Sequence, residues 1–379
     1  MMNEQVSTLK ERVISIDILR GFAMFIICST QIGGAPIFQT FNNMVWGDAW
    51  PEIVKVIMSN PAISIANVAQ PIFVFVVGVV LPFSLRKRLM KASKKKVYTH
   101  VVIRSVILFI CGLIAGGKIL NLQFDKVYWY NNVLEYISIS YLVCSLIVIN
   151  TPKKAHYIIA GALLLLYWCI WLFIPAPGWN GDIFSSEMNI GIYLDQVILG
   201  KYGHPFKGWT AVINTVGHII QVLLGVLTGH VIFGNKDKRE KTKGLLLYGS
   251  VMLVTGLIWS LVYPIIGKNW TSSFALVTAG SSTLLLTLFY FVIDVKGYTR
   301  WSFFFFMFGV NSIAIYMMAH TFDFRLIGNV IVGGSTRHPF GISGYFPEDV
   351  RLFIQALAAM AVMWLILYYM YRKKTFIKI

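Results

Sequence analysis

The sequence predicts an all-α polytopic membrane protein, and three observations lead there. Hydrophobic residues make up 57% of the 379-residue chain and charged residues only 13%, a balance far from that of a soluble domain. Apolar stretches of about 20 residues, the length that crosses a bilayer as a helix, recur from end to end. The basic residues sort onto alternate connections between those stretches, as the positive-inside rule requires.

Ten spans follow from the hydropathy: about 13–32, 62–85, 101–120, 132–150, 155–174, 210–232, 244–266, 273–293, 302–320 and 351–371. With the N-terminus in the cytosol, the inner segments hold Lys10 and Arg12, RKRLMKASKKK (86–96), Lys153 and Lys154, NKDKREKTK (235–243), Lys296 and Arg300, and RKKTFIKI (372–379). They contain about two thirds of all the lysines and arginines, so both termini are expected in the cytoplasm. Topology then accounts for the net charge of +17, and no nucleic-acid partner is needed. The first apolar stretch is long and charged, which reads as a retained span rather than a cleaved signal peptide. Cys28, Cys111, Cys144 and Cys169 fall inside spans without paired spacing, so neither a disulfide framework nor a metal site is expected. With no large soluble insertion and no internal repeat, residues 1–379 read as one transmembrane domain.

The inner connections are short and basic, whereas three outer ones are long, at about 33–61, 175–209 and 321–350. Long loops on a membrane scaffold point to function on the outer side. They hold FNNMVWGDAWPE (41–52), APGWNGDIFSSEMN (176–189), GKYGHPFKGW (200–209) and GGSTRHPFGISGYFPED (333–349). Aromatic rings beside amides and carboxylates suit stacking on a sugar, although Trp and Tyr also collect at any membrane interface. NWT at 269–271 matches a glycosylation acceptor, a three-residue pattern that arises easily by chance.

Charges inside spans are the sharper signal. Asp17 and Arg20 share a helical face and can pair at a spacing of three. Arg104, in the first turns of the third span, sits at the same depth as Arg20, which can also snorkel towards headgroups. Two arginines at one depth near the cytoplasmic face suit a phosphorylated cytosolic ligand, because the guanidinium fork matches phosphate. Towards the outer ends stand Gln31, Glu135, His218, Asn311 and His320. His320 is the better placed histidine, since it closes a span where a long outer loop begins.

The opening RVISIDILRGFAMFIICSTQIGG (12–34) resembles the Arg, Asp and Arg-Gly pattern that opens heparan-α-glucosaminide N-acetyltransferase and its bacterial relatives. QPIFVFVVGVVLPFSLRKR (70–88) is similar to that family's second conserved span and VLEYISISYLV (133–143) to its fourth. VIDVKGYTRWSFFFFMFGVNSIAIYMMAH (292–320) is similar to its late conserved stretch, and YRKKTFIKI (371–379) to its C-terminus. The resemblance implies an acyltransferase in a bacterial plasma (inner) membrane. It would take acetyl-CoA, a CoA thioester, from the cytosol and pass the acetyl group to an amino sugar or glycan on the far side by N- or O-transfer. Its partners are then the bilayer, the thioester and the acceptor, with room for a homo-oligomer. Arg20, Arg104, Arg372, Lys373 and Lys374 are expected at the coenzyme end.

The departures bear on catalysis. The family's histidine lies in the outer loop between the first two spans, and here residues 33–61 contain none. Gln31 replaces a conserved asparagine, Glu135 and Tyr136 replace a glutamine-arginine pair, and Asn67 replaces an aspartate. Transfer to an amine needs a base and donors for the developing oxyanion. His320 is expected as base first and Asp48 second, with Glu52 a further carboxylate in that loop, and Gln31 and Asn311 as donors. The alternative is a non-catalytic transporter or binding protein on the same scaffold, with the polar in-span groups lining a pathway.

Overall fold

The computed structural model describes residues 13–30, 34–46, 65–117, 119–124, 127–203, 210–332 and 345–377, and among them every regular element is a helix. In chain order these are α1 (Ile14–Cys28), α2 (Ile37–Trp46), α3 (Ile65–Leu89), α4 (Lys94–Ala115), α5 (Val133–Asn150), α6 (Lys153–Phe173) and α7 (Ile190–Ile198). Then come α8 (Asn214–Ile232), α9 (Lys238–Trp259), α10 (Ser272–Phe289), α11 (Phe303–Val310), α12 (Ser312–Thr321), α13 (Phe324–Val332) and α14 (Glu348–Arg372).

Eight helices among the described residues are long and apolar enough to cross a membrane: α3, α4, α5, α6, α8, α9, α10 and α14. The bent pair α11–α12 would make a ninth. Helix α1 has 15 residues, about 22 Å at 1.5 Å per residue, which is short of a roughly 30 Å hydrocarbon core. The expected span at 101–120 begins earlier, at Lys94, and that at 244–266 at Lys238. Both helices open on charged stretches, Lys94–Lys96 and Lys238–Lys243, which hydropathy scores as polar, so hydropathy alone starts them late.

In lipid the helices gain little from hydrophobic sorting and are held by close packing. Helix α8, the most enclosed, lies against α3 through glycine. A Cβ on Gly78 would collide with the Val222 carbonyl, and one on Gly225 or Gly229 with the carbonyls of Phe75 and Val79. Helices α1 and α11 meet in the same way, Gly21 against the Phe305 carbonyl and Gly309 against that of Asp17. Increasing numbers on one helix pair with decreasing numbers on the other, so α11 crosses α1 antiparallel.

The expected span 302–320 is therefore not one straight helix: α11 and α12 bend by 65° at Asn311. Beyond α10 the chain makes a π-helical turn, Tyr290–Val295. From there the Asp294 carboxylate accepts from the backbone N–H groups of Ile14 (3.2 Å) and Ser15 (3.1 Å). Val13 offers α1 no side-chain cap, so Asp294 supplies both the acceptors and the negative charge that a helix N-terminus favours. That cap fixes the start of the helix bearing Arg20.

Candidate functional site

Arg20 enters the bundle from α1 and pairs with Asp17 at 3.7 Å, the spacing-of-three contact expected from the sequence. Arg104 enters from α4, and its guanidinium carbon lies 4.6 Å from the centre of the Tyr141 ring, a cation–π position. The Nε of Arg104 is buried and has no hydrogen-bond partner among the described residues. Both arginines line one cavity of about 90 Å³, together with Ser84, Tyr141, Leu134 and Ser312. Along α3 the lining runs from Ser84 to Phe73, about 16 Å at 1.5 Å per residue. It is a slot along the helices, apolar except near the arginines.

Ser84 also lines a second and larger cavity, about 440 Å³, where α3 gives way to α4. Lys87, Arg88, Lys91, Lys96 and His100 surround that vestibule. The vestibule was missed in the sequence because topology already explained the run 86–96. Its signal was the spacing: Arg88 and Lys91 lie one turn apart at the end of one helix, and Lys96 and His100 one turn apart at the start of the next. Arg372, Lys373 and Lys374 do not line either cavity. Arg372 donates from Nη1 to the Tyr368 hydroxyl at 3.2 Å, and Lys373 sits 5.9 Å from the Tyr369 ring.

At the other end of the slot, Leu134 leads into a polar node. The Asn132 Oδ1 caps α5 by accepting from the Leu134 N–H (3.0 Å) and also accepts from the Tyr316 hydroxyl (3.0 Å). The His320 ring stacks on Tyr316, centroids 4.2 Å apart. Its Nδ1 lies 2.9 Å from the Tyr316 carbonyl oxygen. A carbonyl can only accept, so Nδ1 donates, and in the neutral ring Nε2 is then the nitrogen that carries the lone pair. Glu135 is 1% exposed. Its Oε2 accepts from the Tyr130 N–H, and its Oε1 has no partner among the described residues.

His218 makes the same kind of contacts but is enclosed, 1% exposed. Its ring is stacked on Tyr136 (4.4 Å) and close to Trp270 (3.7 Å), with Nδ1 2.8 Å from the Asn214 carbonyl oxygen. It is a packed residue of the core with a buried Nε2. Asn311, expected as an oxyanion donor, spends its amide elsewhere: Nδ2 donates to the Thr375 carbonyl and Oδ1 accepts from the Ile377 N–H, both at 3.2 Å. Gln31, Asp48 and Glu52 lie outside the described residues. Asn269 of the NWT triplet is 2% exposed, which excludes it as a glycosylation acceptor in the folded chain.

Beside α7 the Asp195 carboxylate accepts from the Ala211 N–H (2.6 Å) and the Val212 N–H (2.8 Å) just ahead of α8. Burial pushes its pKa up to about 6, against the two N–H groups that pull it down. The contact ties α7 to the chain just ahead of α8.

Comparison with known proteins finds two curated relatives at low identity. The chain is 24% identical to the human (Homo sapiens) heparan-alpha-glucosaminide N-acetyltransferase over 444 aligned residues, covering 99% of this chain and 61% of that protein. The mouse (Mus musculus) protein of the same name gives 24% over 437 residues, covering 97% and 60%. The chain thus spans about three fifths of the length of these curated relatives. No family model matches the chain. Likeness along nearly the whole chain at this identity supports a distant relationship to heparan-alpha-glucosaminide N-acetyltransferase.

Proposed function

We propose that the chain is a transmembrane acyltransferase that takes an acetyl group from cytosolic acetyl-CoA and passes it to an amino sugar or glycan on the opposite face. The observation that supports it best is the shared cavity. Two in-span arginines from separate helices line one slot, and that slot meets a cationic vestibule at Ser84. Coenzyme A has the matching shape, with a multiply phosphorylated head, a thin arm and a thioester at its tip.

In this reading Lys87, Arg88, Lys91 and Lys96 hold phosphates, with Arg372, Lys373 and Lys374 as peripheral cations of the same face. Arg20 and Arg104 engage the inner end of the arm, where guanidinium hydrogen bonds gain from a low local dielectric. The slot must widen to admit the arm. At its far end the Nε2 of His320 takes the proton of the attacking acceptor nitrogen or oxygen as that atom bonds to the thioester carbonyl carbon. Collapse of the tetrahedral adduct breaks the C–S bond, and the coenzyme thiolate takes up a proton. Gln31 is proposed as an oxyanion donor and Asp48 as the second candidate base. Asn311 is reassigned below, because its amide is engaged by the chain.

Purified protein in liposomes, labelled acetyl-CoA and a panel of amino sugars test the reading. We expect transfer that rises with pH as an imidazole loses its proton. His320→Ala should reduce it by about 100-fold or more, the usual contribution of a general base. Full activity of both His320→Ala and Asp48→Asn would refute the assignment of the base. A wild type inactive across the panel would favour the transporter reading.

A further inference from the structure

We propose that Asn311 is a positioning residue: it clasps the segment Thr375–Ile377 to the break between α11 and α12, and the clasp holds closed the wall of the slot formed by Ser312 and Ile313. The ligand named in its test rests on the acyl-CoA reading above, whereas the clasp itself rests on the geometry.

Three observations lead there. First, the break is built in. Asn311 has φ −121° and ψ 40°, outside the helical region, between two helices bent by 65°. Second, the clasp is two-point. Asn311 is 1% exposed, and its amide donates to one backbone carbonyl and accepts from a backbone N–H two residues on. A side-chain amide used in this way replaces the neighbouring peptide group of a strand pair. Third, the chain is turned towards it by a defined stop after α14. Lys374 has φ 55°, its N–H donates to the Tyr371 carbonyl (3.0 Å), and the Thr375 N–H donates to the Met370 carbonyl (2.9 Å). That is the Schellman arrangement with a lysine in the left-handed position where glycine is usual. A strained residue there points to a required reversal.

The residues immediately after Asn311, Ser312 and Ile313, line the slot with Arg20 and Arg104. Gly309, two residues before it, abuts α1 at Asp17, one turn from Arg20. The break is thus the hinge of one wall, and the slot at about 90 Å³ is too narrow for an acyl-pantetheine arm until a wall moves. Releasing the clasp frees the hinge.

Hydrogen exchange in nanodiscs tests the clasp, on the wild type, on Asn311→Ala and on a chain shortened to end at Lys374, which leaves every span intact. Both variants should raise exchange across residues 312–316 about tenfold, the order expected when two hydrogen bonds are lost, with α3 and α8 unchanged. Association of acetyl-CoA, followed by surface plasmon resonance, should accelerate at least about fivefold in both, since opening of the wall gates entry. Unchanged exchange at 312–316 in the shortened chain overturns the clasp. Faster exchange with an unchanged or slower association rate overturns its control of the slot. If the wild type binds no acetyl-CoA, the coenzyme reading fails on its own, and the exchange result still decides the clasp.

Discussion

Arg20 and Arg104 illustrate how single residues set this site. An arginine inside a membrane is costly unless it finds a partner, and each has one: the Asp17 carboxylate at 3.7 Å and the Tyr141 ring at 4.6 Å. A guanidinium presents a planar fork of donors, the geometry that matches a carboxylate or phosphate. The equal depth of the two arginines was legible in the sequence, because helical rise converts position into height. A shared pocket was suggested by that depth, but which residues complete it was not legible, since that depends on how α1 and α4 are rotated against α3 and α5.

Asp195 gives a second residue-scale test. Its folded pKa of about 6 lies above the ordinary 3.8, so its contribution to stability is fully present below about pH 4 and is lost as pH rises through about 6. The melting temperature of the wild type should therefore fall relative to that of Asp195→Asn between those values. A constant difference between the two proteins from pH 4 to pH 7 would contradict the assignment. The sequence drew no attention to this residue, because its role depends on Ala211 and Val212, backbone groups across a loop.

At the scale of elements, glycine contacts and helix stops decide the arrangement. Gly225 faces the Phe75 carbonyl across the α3–α8 crossing, so Gly225→Leu must push the helices apart. We expect it to destabilise the protein by about 3 kcal/mol, at the upper end of overpacking costs. Thermal unfolding in detergent would measure it, and a loss below about 0.5 kcal/mol would show that the crossing is not tight. Lys374→Gly should act the other way, relieving a left-handed residue and stabilising the end of α14 by about 1 kcal/mol. The helices themselves were readable from hydropathy to within several residues. The break at Asn311 was not, although GVNSI places glycine and asparagine, two poor helix formers, at that point. A span-length apolar window averages such a pair away.

Over the whole molecule, the basic vestibule and the slot share Ser84 as a lining residue, and Leu134, which lines the slot, is capped by Asn132 of the polar node. That linkage underlies the proposed direction of transfer, from the basic face to the opposite one. A cysteine introduced at Lys94 should react with an impermeant reagent only from the cytosol, and reaction from outside would reverse the direction. The resemblance in the sequence suggested the coenzyme, but the vestibule that would receive its phosphates became visible only when the ends of α3 and α4 met around one volume. The outer loops suggested an acceptor, and of them residues 47–64, Asp48 included, 204–209 and 333–344 lie outside the described structure.

The central claim is that the slot shared by Arg20 and Arg104 receives an acyl-CoA. Isothermal titration of acetyl-CoA into the purified protein and into Arg20→Ala and Arg104→Ala tests it directly. The account predicts binding to the wild type and a loss of about 1 to 3 kcal/mol in each variant, as for a charged hydrogen bond removed. Unchanged affinity in both folded variants would contradict it.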